Sequence, residues 1–394
     1  MAIIEYSESN FTLDELKLLL VGLNRVGAPE LYCPFISTVH GAAVETQEQS
    51  VEWARTVGLA SDPRRLAKLR EAKIAWLACR AFPTARRIPL QLAADWTTLF
   101  CLLDDRTEKI GDPVQLGRYL ASLVVVFQGR VRPHAGDVIG EAFEDLGRRI
   151  RAEAPRCWVD GFVSRLDELF RAFCAEAANR SLGIIPNLEN YKKIREITVG
   201  LYVEFEFGEL TDGIEVPSYV RAHPTFKSLV TMASNIVGWA NDIYTYEKEI
   251  LQGEIHNIVI VAMRAFGLSL EQAIEWAIDH HDEEVRNFEA LLENLPSFDA
   301  DADRELQAYA SMLVSWVRGH LDWAHETGRY VTADGAPPSS QRWTSYVTSR
   351  RRSSVLPPPG EPAILPRSSV APPASPPTFP PLSGPISSIP PQSR

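Results

Sequence analysis

In the segment Asn241-Asp242-Ile243-Tyr244-Thr245-Tyr246-Glu247-Lys248-Glu249, the residues Asn241, Thr245 and Glu249 fall at i, i+4 and i+8. On an α-helix this spacing stacks three oxygen donors along one face. Amide, hydroxyl and carboxylate oxygens together suit a hard divalent cation. Only one of the three is charged and Lys248 stands beside it, so the site suits a cation that arrives with an anionic ligand. A diphosphate is the natural candidate.

A second oxygen-rich cluster lies upstream, in Asp104-Asp105-Arg106-Thr107-Glu108. Asp104 and Glu108 are one helical turn apart and share a face, with Asp105 adjacent. Carboxylates this close repel unless a cation bridges them. Taken alone, such a cluster is commonly a solvated helix end. The apolar run 96–103 that leads into it alters that reading, because it draws the carboxylates toward a core or cavity. Ile236, Val237, Trp239 and Ala240 do the same for the Asn241 segment. Neither cluster offers His or Cys, which disfavours zinc. Magnesium prefers one or two carboxylates per ion, with phosphate oxygens or water completing the octahedron.

The elements that must position these residues read as helices. Asp62 and Pro63 form an N-cap and first-position pair opening an apolar-periodic stretch over 65–81. A capping box from Ser269 to Gln272 starts a second amphipathic segment that runs to about residue 295. Over 303–326, Leu306, Tyr309, Leu313, Trp316 and Trp323 keep helical spacing, and Gly328 suits the C-terminal cap. No alternating strand pattern and no repeat stands out. The expectation is one all-α domain over residues 1–334.

Beyond Gly335 the composition changes. That segment holds 16 of the chain's 28 prolines, with six Arg and a single Glu. Residues 335–394 are expected to be a disordered Pro/Ser-rich tail, either dispensable or a docking ligand for another protein, with composition favouring the first.

Across all 394 residues, 45% are hydrophobic and nine are Trp, enough to fill a sizeable core. The net charge of -11 argues against nucleic-acid binding, which needs a cationic face. Five scattered cysteines with no CxxC pair read as reduced core residues. The N-terminus carries no secretory pattern and no run reaches the 18 or so apolar residues that span a bilayer. The expectation is a cytoplasmic protein with no membrane span.

The two motifs, in this order, resemble those of the bacterial-type class I terpene synthases: an aspartate-rich DDxx(D/E) motif and a downstream NDxx(S/T)xxxE triad. Other marks of the family are present. Arg195, 46 residues before Asn241, stands where the family places a diphosphate-sensing arginine. Arg329-Tyr330, 80 residues after Glu249, resembles the family's C-terminal Arg-Tyr pair. The runs from Trp53 to Gly58 and Phe82-Pro83 are similar to those that lead toward the first motif, and the likeness extends over about residues 20–332.

The resemblance implies the class I isoprenoid synthase helical bundle with a central cavity. It also implies three Mg2+ ions, with Asp104 holding two, Asp105 and Glu108 in support, and Asn241, Thr245 and Glu249 holding the third. Arg195, Lys248, Arg329 and Tyr330 would donate to the diphosphate. Ionising an allylic C–O bond requires stabilising charge on the leaving group, which metals and preorganised donors do electrostatically. The carbocation left behind needs a dry apolar cavity with aromatic faces. Phe100, four residues before Asp104, points into such a cavity from the same helical face. Trp316 matches a family position where an aromatic often lines it, and Phe205 and Phe207 are weaker candidates.

Two departures from the family pattern stand out. Thr245 replaces the commoner Ser and keeps the hydroxyl. Thr198 and Val199 stand where some members carry an Asp linker and a small residue, which leaves Gly200 to break the helix there. Glu204 and Glu206 are unusual nearby charges, facing either solvent or the cavity mouth.

A chain-elongating prenyltransferase would carry a second aspartate-rich motif in place of the triad, and a protonation-initiated cyclase would carry D-x-D-D. A non-catalytic helical scaffold with a partner-binding tail is a further alternative, opposed by the intact ligands at both clusters. The reading is therefore a carbon–oxygen lyase that cyclises a linear prenyl diphosphate, best farnesyl and next geranyl diphosphate, to a sesquiterpene hydrocarbon or alcohol. Synthases of this kind often form homodimers, so a homodimer is an added expectation.

Overall fold

Side-chain caps mark where seven of the described α-helices begin. Asp62 accepts a hydrogen bond from the Arg65 amide and Pro63 opens helix α2 (Pro63–Ala72), following α1 (Ala43–Thr56). The stretch expected to be continuous to residue 81 is instead two helices. Lys73 adopts a left-handed conformation (φ 47°) and ends α2, and α3 (Ile74–Ala81) leaves in a new direction. Helix α4 (Arg87–Thr107) carries the carboxylate cluster in its last turn, and α5 (Pro113–Phe127) starts with the same Asp-Pro signal at Asp112. Next come α6 (Val138–Glu153) and α7 (Arg156–Leu182).

Helix α8 (Leu188–Thr198) is capped by Asn187 and stops where Gly200 turns left-handed (φ 84°). Three short helices follow: α9 (Leu201–Glu204), α10 (Phe207–Asp212) and α11 (Ser218–Ala222). Helix α12 (Pro224–Gln252) carries the Asn241 segment, and Asn257 caps α13 (Ile258–Phe266). The Ser269–Gln272 capping box is present, and α14 (Leu270–Glu293) closes two residues before the expected end. Helix α15 (Ala300–Glu326) is capped by Asp299. Its C-terminal cap is Thr327 and not Gly328, which instead opens a single 3-10 turn over Gly328–Tyr330. Each side-chain N-cap of this kind is worth about 1 kcal/mol.

This computed structural model describes residues 29–330, and among them there is no strand. Among them, no helix is long and apolar enough to cross a membrane. The expected Pro-rich tail, 335–394, lies outside the described residues.

Packing follows the apolar faces. Helix α12 lies against α8, α14 and α15, α3 bridges α4 and α15, and α4 packs on α6. Away from the acidic cluster, Trp96, Phe127, Phe143, Phe162 and Phe207 interlock at ring-centroid separations of 5.0 to 6.4 Å. Edge-to-face and offset contacts at such distances add to burial. This core anchors the N-terminal half of α4 and leaves its C-terminal half to face a cavity.

Candidate active site

One face of α4 runs down the cavity wall. Thr97, Phe100, Cys101, Asp104 and the capping residue Glu108 all line it. The opposite wall comes from α12 with Val237, Asn241, Thr245 and Glu249, and from α15 with Trp316 and His320. Of the residues singled out in the sequence, Phe100, Asp104, Glu108, Arg195, Asn241, Thr245, Lys248, Glu249, Trp316, Arg329 and Tyr330 line this one cavity. Asp105 opens onto an adjoining cleft shared with Lys248 and Arg329.

The polar end is tightly cross-linked. Arg195 donates through Nε to Asp242 Oδ1 (2.9 Å) and through Nη2 to Asn241 Oδ1 (2.8 Å). Asn241 donates its Nδ2 to the Tyr330 hydroxyl (2.5 Å). Thr245 Oγ1 reaches Glu249 Oε1 (2.5 Å), whose other oxygen accepts from Asn257 Nδ2 (2.8 Å). Across the mouth, Arg329 holds Asp105 with both terminal nitrogens (3.2 and 3.0 Å), and Lys248 Nζ stands 3.9 Å from the same carboxylate.

Asp242 is the fixture of this end. It is fully buried, and it also accepts from the Tyr191 hydroxyl and from the Ile258 amide that starts α13 (2.8 Å). One carboxylate therefore ties α8, α12 and α13 together. It holds Arg195 and is not among the residues that line the cavity. The sequence reading passed over it, along with Tyr191 and Asn257. Tyr191 lies one turn before Arg195, a spacing that puts both on one face, and Asn257 precedes an apolar run as an N-cap does.

Electrostatics at this end point to missing positive charge. Burial, then the charges of Glu108 and Asp105, push the Asp104 carboxyl up to about 7. Burial, then Asp242, push Glu249 up to about 8 against the pull of Arg195. Burial also raises Glu108. A divalent cation fits such a donor set: the donors are all oxygens, and burial disfavours the ionised forms of Asp104, Glu108 and Glu249. Among the described residues no three His, Cys, Asp or Glu side chains gather at one point. Each cluster is an incomplete ligand set of the sort that a phosphate-bearing ligand completes.

Away from the polar end the lining is mixed, with Leu77, Phe100, Leu201, Val237 and Trp316 beside Thr97, Thr198, Glu204 and His320. Phe100 stacks toward Phe173 and lies so close to Gly200 that a methyl group there would overlap its ring. Trp316 is buried edge-on to Phe82 and Phe205. Phe205 thus backs the wall, and Phe207 belongs to the core around Trp158 and Phe162, so neither lines the cavity. His320, one turn beyond Trp316, also faces the cavity, and burial lowers its imidazole to about 3. Glu204 also lines the cavity wall and is 2% exposed. Glu206 instead turns away, 3.5 Å from Arg165.

Helical bundles that set oxygen-donor clusters across one end of an apolar cavity are the architecture of class I terpenoid synthases, and this chain has it. Residues 95–287 match the family model described as "Terpene synthase family 2, C-terminal metal binding". The chain is 30% identical over 311 residues to germacrene A synthase of Nostoc punctiforme, covering 78% of this chain and 96% of that protein. It is 33% identical over 305 residues to (+)-T-muurolol synthase of Roseiflexus castenholzii, covering 76% and 93%. Among solved structures it is similar to the SVS_A2 protein from ancestral sequence reconstruction, with TM-score 0.69, 25% identity and coverage of 75% and 89%. The chain belongs to the terpene synthase family, and it is an enzyme of the class I type.

Proposed function

We propose that this synthase ionises farnesyl diphosphate in a Mg2+-dependent reaction and cyclises it to a sesquiterpene hydrocarbon or alcohol, releasing diphosphate. The observation that carries this reading is the convergence of Asp104, Glu108, Asn241, Thr245 and Glu249 with Arg195, Lys248, Arg329 and Tyr330 around one cavity. Two relatives add support: one is named for germacrene A synthesis and the other for cyclising (2E,6E)-farnesyl diphosphate.

Asp104, Asp105 and Glu108 would hold metal from the α4 side, and Asn241, Thr245 and Glu249 from the α12 side, for three Mg2+ ions in all. Bound there, the cations would supply Lewis acidity toward the leaving diphosphate. The chain's own donors do the rest. Arg195 and Arg329 offer forked contacts to phosphate oxygens, Lys248 a point charge and Tyr330 a hydroxyl. To do so, Arg329 must leave Asp105 and Arg195 must share its contact with Asn241, so diphosphate binding exchanges internal pairs for ligand pairs. Below them, the faces of Phe100 and Trp316 stabilise positive charge in a space that excludes water.

Residues 1–334 form the catalytic unit in this proposal, and 335–394 are dispensable. The test is incubation of the full chain and of a chain lacking 336–394 with geranyl, farnesyl and geranylgeranyl diphosphates plus Mg2+, with hydrocarbon products read by gas chromatography and mass spectrometry. Farnesyl diphosphate is expected to give a cyclic product with both chains. Absence of product from all three substrates would sink the proposal.

A further inference from the structure

Glu204 is a buried carboxyl in the cavity wall, held beside Thr97, which precedes Asp104 by seven residues on α4. Its only side-chain partner among the described residues is Thr97, whose Oγ1 lies 3.2 Å from Glu204 Oε2. Its Oε1 is buried without any partner. Thr97 precedes Asp104 by seven residues on α4, so Glu204 sits about 10 Å down the helix axis from the first metal-ligand position. No Arg, Lys or His hydrogen-bonds it among the described residues.

The Thr97 hydroxyl has one proton and two acceptors in range: the Ala93 carbonyl oxygen at 2.9 Å and Glu204 at 3.2 Å. The shorter bond takes the proton. Thr97 can then accept from Glu204, which satisfies both groups only if the carboxyl is protonated. Burial acts in the same direction and raises Glu204 to about 8. Burial drives the Cys101 thiol up to about 12 and His320 down to about 3, so both are neutral at neutral pH and neither offers Glu204 a counter-charge. The path through Thr97 ends at a backbone carbonyl of α4. Glu204 Oε1 has no hydrogen-bond partner among the described residues, and the residue lines the cavity, so its proton is placed next to the cavity's contents.

Building on the cyclase reading above, we propose that Glu204 is a catalytic proton donor and acceptor for the hydrocarbon, protonating a double bond of a neutral cyclised intermediate and then taking a different proton back. The intermediate becomes neutral when the first carbocation loses a proton to the departing diphosphate, the strongest base at the polar end. In the first transfer the Glu204 O–H bond breaks and the π pair of the alkene forms a C–H bond. The other alkene carbon becomes cationic and faces the new carboxylate. In the second transfer a C–H bond beside the cation breaks, its electrons form a new double bond, and the proton returns to Glu204. No water or redox partner is consumed, and the product carries one hydrogen that came from the carboxyl.

The test is turnover of farnesyl diphosphate with Mg2+ in D2O, where the Glu204 carboxyl exchanges with solvent between turnovers. Wild-type product is expected to gain one mass unit. Glu204→Gln keeps the shape without the acid, and is expected to release an unlabelled hydrocarbon with fewer rings. Glu204→Asp is expected to restore the labelled product at reduced rate, which a merely structural role for Glu204 would not produce. Circular dichroism and thermal melting establish that each variant is folded. Unlabelled wild-type hydrocarbon, or the same labelled product from Glu204→Gln, overturns the assignment and leaves cyclisation standing. Failure to form any hydrocarbon overturns both.

Discussion

Arg329 grips Asp105 with two hydrogen bonds, 3.2 and 3.0 Å long, so the proposed diphosphate donor and the proposed metal ligand neutralise each other before any ligand arrives. This pair competes with cation binding. Arg329→Gln is therefore expected to bind Mg2+ alone more tightly than wild type while losing roughly a hundredfold or more in kcat/KM, a loss of about 3 kcal/mol of transition-state stabilisation. Titration calorimetry reads the first effect and product formation the second. Unchanged or weaker Mg2+ binding would contradict the competition.

Asp104→Ala and Glu249→Ala each remove one carboxylate from opposite sides of the polar end. Each is expected to abolish turnover, by roughly a thousandfold or more, since removing one charge stabiliser of a transition state commonly costs about that much. Thr245→Ser keeps the hydroxyl between Asn241 and Glu249 and is expected to stay within about tenfold of wild type. The measurement is diphosphate release from farnesyl diphosphate. Full activity in Asp104→Ala would remove the carboxylate from the mechanism.

Gly200 has a left-handed backbone and the ring of Phe100 pressed against its α-carbon. Gly200→Ala adds both a conformational cost of about 1 kcal/mol and a clash, so a melting temperature lower by several degrees is expected. Combining it with Phe100→Leu should recover the steric part only. If the double variant melts no higher than Gly200→Ala, the ring is not the obstacle.

Much of this site is legible along the chain, because its parts are local. The Asn241, Thr245 and Glu249 face and the Asp104 and Glu108 pair follow from helical spacing alone, as do Phe100 above Asp104 and the capping box at Ser269. What spacing does not supply is rotation between helices. Glu204 reads as a charge facing solvent or the cavity mouth until α9 is set against Thr97 of α4, and Asp242 reads as part of a metal motif until Tyr191, Arg195 and Ile258 close around it. The break at Lys73 was hidden for another reason: left-handed lysine is uncommon, and the apolar period continues across it.

Asp242 holds a buried ion pair with Arg195, and removing one partner of such a pair costs about 3 to 5 kcal/mol. Asp242→Ala is expected to lower the denaturant midpoint accordingly, and to cut turnover because Arg195 is no longer aimed. Chemical denaturation followed by circular dichroism checks the first. A loss under about 1 kcal/mol would show that the pair is not a fixture of the fold.

Asp104, Glu204 and Glu249 are carboxyls raised to about 7, about 8 and about 8, chiefly by burial. These three groups hold more protons folded than unfolded between about pH 4.5 and 8, so their own contribution to stability falls as pH rises through that window, against the opposite contribution of the buried His280 and His320 below about pH 6.5. Metal-free protein is expected to melt at a lower temperature at pH 8 than at pH 5. Glu204→Gln should reduce the difference, and Mg2+ with diphosphate should reduce it further. A melting temperature that climbs from pH 5 to 8 would contradict the assignment.

Helix α4 carries Thr97 and Asp104 on one rigid face, seven residues apart. It thereby works as a ruler: the distance between the place where charge is created and the place where Glu204 waits is written in helical rise, at 1.5 Å per residue. Deleting or inserting one turn between the two would rescale that distance by about 5 Å without altering a single ligand. Which carbon of a substrate comes to rest beside the carboxyl is then a matter of helix register, and substrate length and protonation site are set together.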